Sequence, residues 1–349
     1  MKKFFLLAAA AVMVFASCAK SDQPEVSKDK AIGFKSYTGR TVTKADADFF
    51  IPKAQTWLNA QSFGVYAYNS ANAVFAQADI ASYGKFMTNQ KVDFTGNEAD
   101  ERDPDAYTYT PTRYWPNDGA NNLLSFWAYY PYEALTKGFE ANTFTVGTDP
   151  TKMVDLLVSD VKNDMQYTAQ NKGIVPFTFH HALTMVKFAV KTDDNDGDHY
   201  PSDVVIKLEE LTVNGVKVNG TITPSYTAGT TTYEWAVTGD ATPFKVCETA
   251  TALNEEVQYF PTNDEVEAAY LMIPHTDITA VKATIKYSVT VGSDDPVVNT
   301  AEVDLKTTEV ATWAQNMNIL YTFTVGLKPI KFTATVVPWE DEVVSGITL

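Results

Sequence analysis

What most constrains this chain is its rhythm: short apolar and aromatic runs, most of them alternating with polar residues and broken at short intervals by turn formers. Ser62–Tyr68 alternates cleanly, and Leu123–Pro131 reads as a buried strand closed by proline. Asp105–Trp115 is rich in Tyr and Thr, with Pro111 and Pro116 interrupting any ladder. Asp155–Asp160 is short and apolar, and Phe177–Val190 is the longest strand candidate. Beyond the acidic break at 193–198 the pattern continues through Val204–Leu208, Leu211–Val213, Val216–Val218, a short strand opening at Gly220, Tyr233–Val237 and Ala283–Val289. Ile319–Val325 and Ile330–Val337 form the last pair. Asn214–Gly215 carries the two-residue hairpin signal. No stretch has the spacing of a long amphipathic helix, and no period repeats, so the expectation is all-β sandwich architecture. With 349 residues, two domains are the natural prior, and the acidic break suggests their boundary near 191–200. Apolar residues at 45% are ample for two cores, and the 18 Tyr and 20 Phe favour strands.

The N-terminus has its own logic. Lys2 and Lys3 precede an apolar run from Phe4 to Ala16, too short to span a membrane, and Ala16-Ser17 lead into Cys18. Small residues before a cysteine suit a bacterial lipoprotein signal peptidase, which predicts a mature chain starting at acylated Cys18, anchored to a membrane outside the cytoplasm. The other reading is ordinary signal cleavage with Cys18 an unused thiol. Ala19–Lys30 is polar and reads as a tether. Ala31–Arg40 reads as a first strand with Ile32 and Phe34 on one face. Arg40, with Lys44 shortly after, suits a trypsin-like protease, although most exposed basic residues are simply solvated. With Cys18 acylated, Cys247 is alone and no intrachain disulfide forms.

The net charge of −16 becomes −18 when Lys2 and Lys3 leave with the signal, which argues against a nucleic-acid partner. No catalytic centre is expected. There is no HExxH, CxxC, GxSxG or phosphate-binding glycine loop. His180 and His181 are adjacent, so on a strand they point to opposite faces and share no metal. The 193–198 run fails a calcium loop at both ends, with Thr192 first and Asp203 last, and reads as a solvated loop. Neither cofactor nor metal is expected. The aromatic groups Tyr114-Trp115, Phe126-Trp127 and Tyr129-Tyr130 fit a sugar-stacking platform or, more commonly, a core.

In order and spacing these pieces resemble the fimbrillin family, the type V pilins of Gram-negative anaerobes. The resemblance is carried by the Cys18 signal, Ile32-Gly33-Phe34, the junction from Arg40 to Ala45, Phe63–Tyr68, and Tyr114-Trp115-Pro116 with Leu124–Pro131. It continues in Asp155–Leu157, Phe179–Val186 (where Met185 departs from the family pattern), Tyr270–Pro274 and Phe332–Trp339. The resemblance implies two tandem transthyretin-like β-sandwiches with Greek-key-type connections. It implies a signal over 1–17, a lipidated tether, first strand and cleavable propeptide over 18–45, domains over 46–192 and 193–339, and a tail over 340–349. It implies an outer-membrane lipoprotein whose lipid and first strand, with Ile32 and Phe34, are removed by cleavage after Arg40 or Lys44. The partners would be other fimbrial subunits, head to tail. The tail would be the donor, with Val343, Ile347 and Leu349 on one face and Ser345 between them. The implied function is structural and adhesive; an uncut anchor, a tip subunit or a surface glycan binder are the alternatives.

Overall fold

The computed structural model describes residues 30–38, 62–71, 73–95, 107–116, 122–150, 153–261, 269–327 and 330–337. The chain is all-β, in sandwich-like sheets. In the first half the strands are β1 (Gly33–Thr38), β2 (Phe63–Asn69), β3 (Gly84–Phe94), β4 (Tyr107–Thr108), β5 (Leu124–Tyr130), β6 (Asn142–Thr145), β7 (Leu157–Ser159), β8 (Lys162–Met165) and β9 (Ile174–His181). The second half adds β10 (Thr184–Thr192), β11 (Val204–Asn214), β12 (Lys217–Thr227), β13 (Thr230–Ala241), β14 (Phe244–Cys247), β15 (Thr251–Ala252) and β16 (Gln258–Phe260). It ends with β17 (Tyr270–Met272), β18 (Lys282–Val291), β19 (Val297–Asp304), β20 (Asn318–Val325) and β21 (Lys331–Val337).

One eight-stranded sheet, ordered β1-β9-β7-β5-β2-β3-β4 with β8 beside β5, rolls around a single core. Its ends meet: Ala31, just before β1, bridges Tyr114, just after β4. Both faces of its central strands are buried, as happens when a sheet is covered on each side. Along β5, Leu124, Phe126, Ala128 and Tyr130 point into the rolled core, while Trp127 and Tyr129 point to the opposite face. β2 does the same, with Phe63, Val65 and Ala67 inward and Tyr66 and Tyr68 outward. The aromatic pairs Phe126-Trp127 and Tyr129-Tyr130 are therefore core on two sides, with none of the four more than 1% exposed.

The outward face is covered by the second half of the chain. The β12–β13 hairpin pairs with β6 to form a three-stranded sheet, and Ile222, Tyr226, Tyr233 and Trp235 lie against Tyr66, Trp127 and Tyr129. Three of the polar groups trapped there are paired as follows. The Trp127 indole N–H donates to the Tyr233 hydroxyl at 2.7 Å, and that hydroxyl donates to the Ser159 carbonyl. The Trp235 N–H donates to the Ala182 carbonyl at 2.9 Å. The rest of the second half is a sandwich of two sheets, one of β16 and β17 beside β10-β20-β21, the other β14-β11-β18-β19 with β15 beside β11. Their facing side chains form one core, including Phe188, Leu208, Ile285, Trp313 and Tyr321.

Three details differ from the sequence expectation. The long run Phe177–Val190 is two strands in different sheets: the chain crosses at Ala182 and Leu183, both fully buried, so the apolar pattern runs through the crossing unbroken. β10 thus already belongs to the second core, ahead of the acidic turn at 193–198, whose composition marks a solvated loop rather than the change of sheet. Asn214-Gly215 makes no hairpin, because β11 pairs with β18 while β12 pairs with β13. Gly215 has φ +84°, and a Cβ there would sit 2.0 Å from the Ala280 carbonyl oxygen. The glycine serves the passage between sheets, and the tight hairpin lies instead at Ala228-Gly229, both with positive φ.

Candidate functional site

β1 is the element that the sequence analysis singled out and that the structure describes. Its register is parallel to β9, from Gly33 opposite Ile174 to Thr38 opposite Phe179. On its other side it lies along the 107–115 segment. The Ile32 N–H donates to the Arg113 carbonyl, the Trp115 N–H to the Lys30 carbonyl, both at 2.9 Å, and the Tyr109 hydroxyl to the Ile32 carbonyl at 2.9 Å. β1 is thus the strand that joins the two ends of the rolled sheet.

Strand alternation places Ile32, Phe34 and Ser36 inward, at 2%, 0% and 1% exposure. Phe34 stacks on Phe177 with ring centroids 5.8 Å apart and meets Phe63, Tyr109 and Phe126 at 6.1, 5.3 and 6.4 Å. Ser36 sits on a different floor. Its hydroxyl bonds that of Tyr107 at 2.5 Å, and the fully buried Tyr130 hydroxyl joins both. Burial pushes the Tyr130 phenol well above its ordinary range and that of Tyr109 up to about 12, so both are neutral hydrogen-bonding groups. The slot under β1 is therefore two apolar sites followed by one hydroxyl-lined site. Sequence reasoning found Ile32 and Phe34 but missed Ser36, although extending the period of two by one step reaches it.

Cys18, Arg40, Lys44, Val343, Ile347 and Leu349 lie outside the described residues. His180 and His181 diverge as alternation requires. His180 bonds Asp160 at 3.1 Å on the half-exposed side, and His181 bonds Asp155 at 2.6 Å on the buried side. Cys247 is a buried free thiol whose pKa burial raises. Among the described residues no helix is long and apolar enough to cross a membrane, and no cluster of three metal-ligating side chains occurs.

The fold is shared. A crystal structure of a fimbrial protein from Bacteroides vulgatus superposes with a TM-score of 0.65, covering 89% of this chain and 100% of that one at 21% identity, a likeness of fold. Fimbrium subunit Fim1C of Phocaeicola vulgatus is 28% identical over 214 residues, which are 55% of this chain and 52% of that protein. The chain thus spans about half the length of that curated relative. The family described as fimbrillin-like matches from residue 43 to residue 339, through both cores. By that match the chain belongs to the fimbrillin-like family of fimbrial proteins.

Proposed function

We propose that this chain is a stalk subunit of a cell-surface fimbria, exported as an outer-membrane lipoprotein through Cys18, trimmed after Arg40 or Lys44, and polymerised by strand exchange. Trimming removes the lipid together with β1. The observation that carries this reading is the position of β1, a short N-terminal strand filling the seam between β9 and the 107–115 segment with Phe34 wholly buried. Its loss opens a groove of unpaired backbone groups and apolar sites, which is an association edge unless filled. The tail of the next subunit, with Val343, Ile347 and Leu349 on one face, supplies the replacement by β-strand addition. Such a head-to-tail contact does not close on itself and so builds a filament. The chain, through both cores, acts as a rod segment that contributes to adhesion by projecting from the surface, and it has no chemistry of its own.

Deleting 343–349 tests this. The truncated subunit should reach the surface folded and stop polymerising. Filaments of normal length from the truncated chain would refute the donor role, and retained binding to a polysaccharide by the monomer would favour the glycan-binding alternative.

A further inference from the structure

A cavity on the outward face of the rolled sheet has the construction of a ligand site. It opens beside β2 where β3 carries one extra residue against Val65–Ala67 and another against Ala67–Tyr68. Irregularities of this kind bend a strand away from its partner and re-aim the side chains beside them. The space measures about 430 Å³, within the roughly 300–1,000 Å³ typical of small-molecule sites. Its floor is aromatic, with Tyr66, Tyr68 and Phe139 all buried, and its rim carries exposed Lys85, Lys137 and Glu140. The 3₁₀ turn Gln77–Ser82 adds Ile80 to the wall.

The loop that closes this space is held in place. Asn142, 2% exposed, accepts the Lys137 N–H at 2.8 Å and donates to the Gly138 and Glu140 carbonyls at 3.1 and 2.7 Å. Gly138 has φ +62°, and a Cβ there would sit 2.6 Å from the Tyr68 hydroxyl, so glycine is what brings this backbone against the ring. Tyr66 is 4% exposed, and its hydroxyl lies near the Gly138 backbone without completing a hydrogen bond. Buried hydroxyls are ordinarily paired, so one left open at a cavity wall marks a place for a ligand's polar group. Burial pushes both phenols up to about 12, which keeps them neutral donors. Charge narrows the ligand further. Lys85 and Lys137 make no ion pair among the described residues, and two lysines against Glu140 leave the rim at +1 on a chain of net charge −16. A locally positive rim on so acidic a body attracts an anion. The aromatic floor suits the C–H face of a ring, and Glu140 with the tyrosine hydroxyls suits that ring's hydroxyl groups.

We propose that this cavity binds a single sugar-acid unit, a uronic or sialic acid at a chain end. Its carboxylate lies toward Lys85 and Lys137, its ring over Tyr66, Tyr68 and Phe139, and one of its hydroxyls completes Tyr66. Walled by the 77–82 turn and the 136–140 loop, the cavity admits a chain end rather than a length of polysaccharide. None of its lining residues lies on β1, so the site does not depend on the strand-exchange reading.

Equilibrium dialysis of the full-length chain against labelled glucuronate, N-acetylneuraminate and glucose tests the site. At least one of the two acids should bind saturably and about tenfold more tightly than glucose, with the advantage shrinking as salt is added. Neither acid binding, or glucose binding as tightly, would overturn the proposal. Lys85→Ala with Lys137→Ala, both exposed positions, should abolish the preference for the acid over glucose. Tyr66→Phe should weaken binding about tenfold while the melting temperature holds or rises, because that hydroxyl has no partner in the fold to lose. A lowered melting temperature with binding unchanged would assign the hydroxyl to the fold and overturn its role in the site. Acid binding that survives all of these substitutions would place the ligand elsewhere and overturn the assignment. Filament assembly is scored separately in the same variants and should be normal in each, so loss of binding and loss of polymerisation are distinguishable.

Discussion

Replacing Phe34 with Ala probes how firmly β1 is built into the rolled sheet. The side chain is wholly buried and touches four aromatic rings with centroids 5.3 to 6.4 Å away. Truncating a buried Phe costs about 3–5 kcal/mol, the lost transfer energy plus the cavity left among rings that cannot all collapse. With a urea dependence of about 2 kcal/mol per molar, the first unit's midpoint should fall by roughly 2 M. The assay is urea-dependent hydrogen exchange read by mass spectrometry on the unprocessed chain, which resolves β1 and β9 from β20. Loss of protection should concentrate in β1, β9 and β5, whereas β20 beside Trp313 belongs to another core and should hold. Filaments assembled from processed F34A chains should match wild type, since the altered strand is gone by then. A midpoint shift under about 0.5 M, or an equal shift in β20, would refute the claim that β1 is an integral strand of a separate core.

Gly215→Ala should cost at least about 2 kcal/mol by thermal unfolding, because positive φ combines with a clash against the Ala280 carbonyl. Gly229→Ala, with φ +87° but open space around it, should cost only about 1 kcal/mol; equal losses would contradict this account of Gly215. Tyr233→Phe leaves the Trp127 N–H without its acceptor between the two halves and should cost about 2 kcal/mol; a change below about 0.5 kcal/mol would contradict it. His275 is buried, donates from Nδ1 to the Ile273 carbonyl at 2.6 Å and accepts the Lys217 N–H at Nε2. Burial lowers its pKa, so its contribution is full above the unfolded value of about 6.5 and is lost as pH falls through that value toward the folded one. The melting temperature should drop between pH 7.5 and 5 more steeply in wild type than in H275N; parallel slopes would contradict the assignment.

The β character was legible in the alternation of runs such as Tyr233–Val237, because a period of two survives wherever a strand has one face toward a core and one toward solvent. It failed where burial is continuous. Ala182 and Leu183 continue the apolar run while the backbone leaves one sheet for another, and only three-dimensional partners reveal the change. Asn214-Gly215 carried a hairpin signal, yet the glycine's conformation serves a different neighbour, the Ala280 carbonyl, which lies 65 residues away. Ile32 and Phe34 were readable as one face of a first strand. The hydroxyl site beside them was not, because Tyr107 and Tyr130 come to Ser36 from strands that no local pattern connects.

The most direct test of the processed-subunit account is an intact mass with N-terminal sequencing of the protein from shed filaments and from the membrane fraction. The account predicts a filament form beginning at Thr41 or Ala45, lighter by the acylated segment that carries β1, beside a heavier membrane-bound precursor beginning at Cys18. A single form beginning at acylated Cys18, present in filaments and membranes alike, would contradict it.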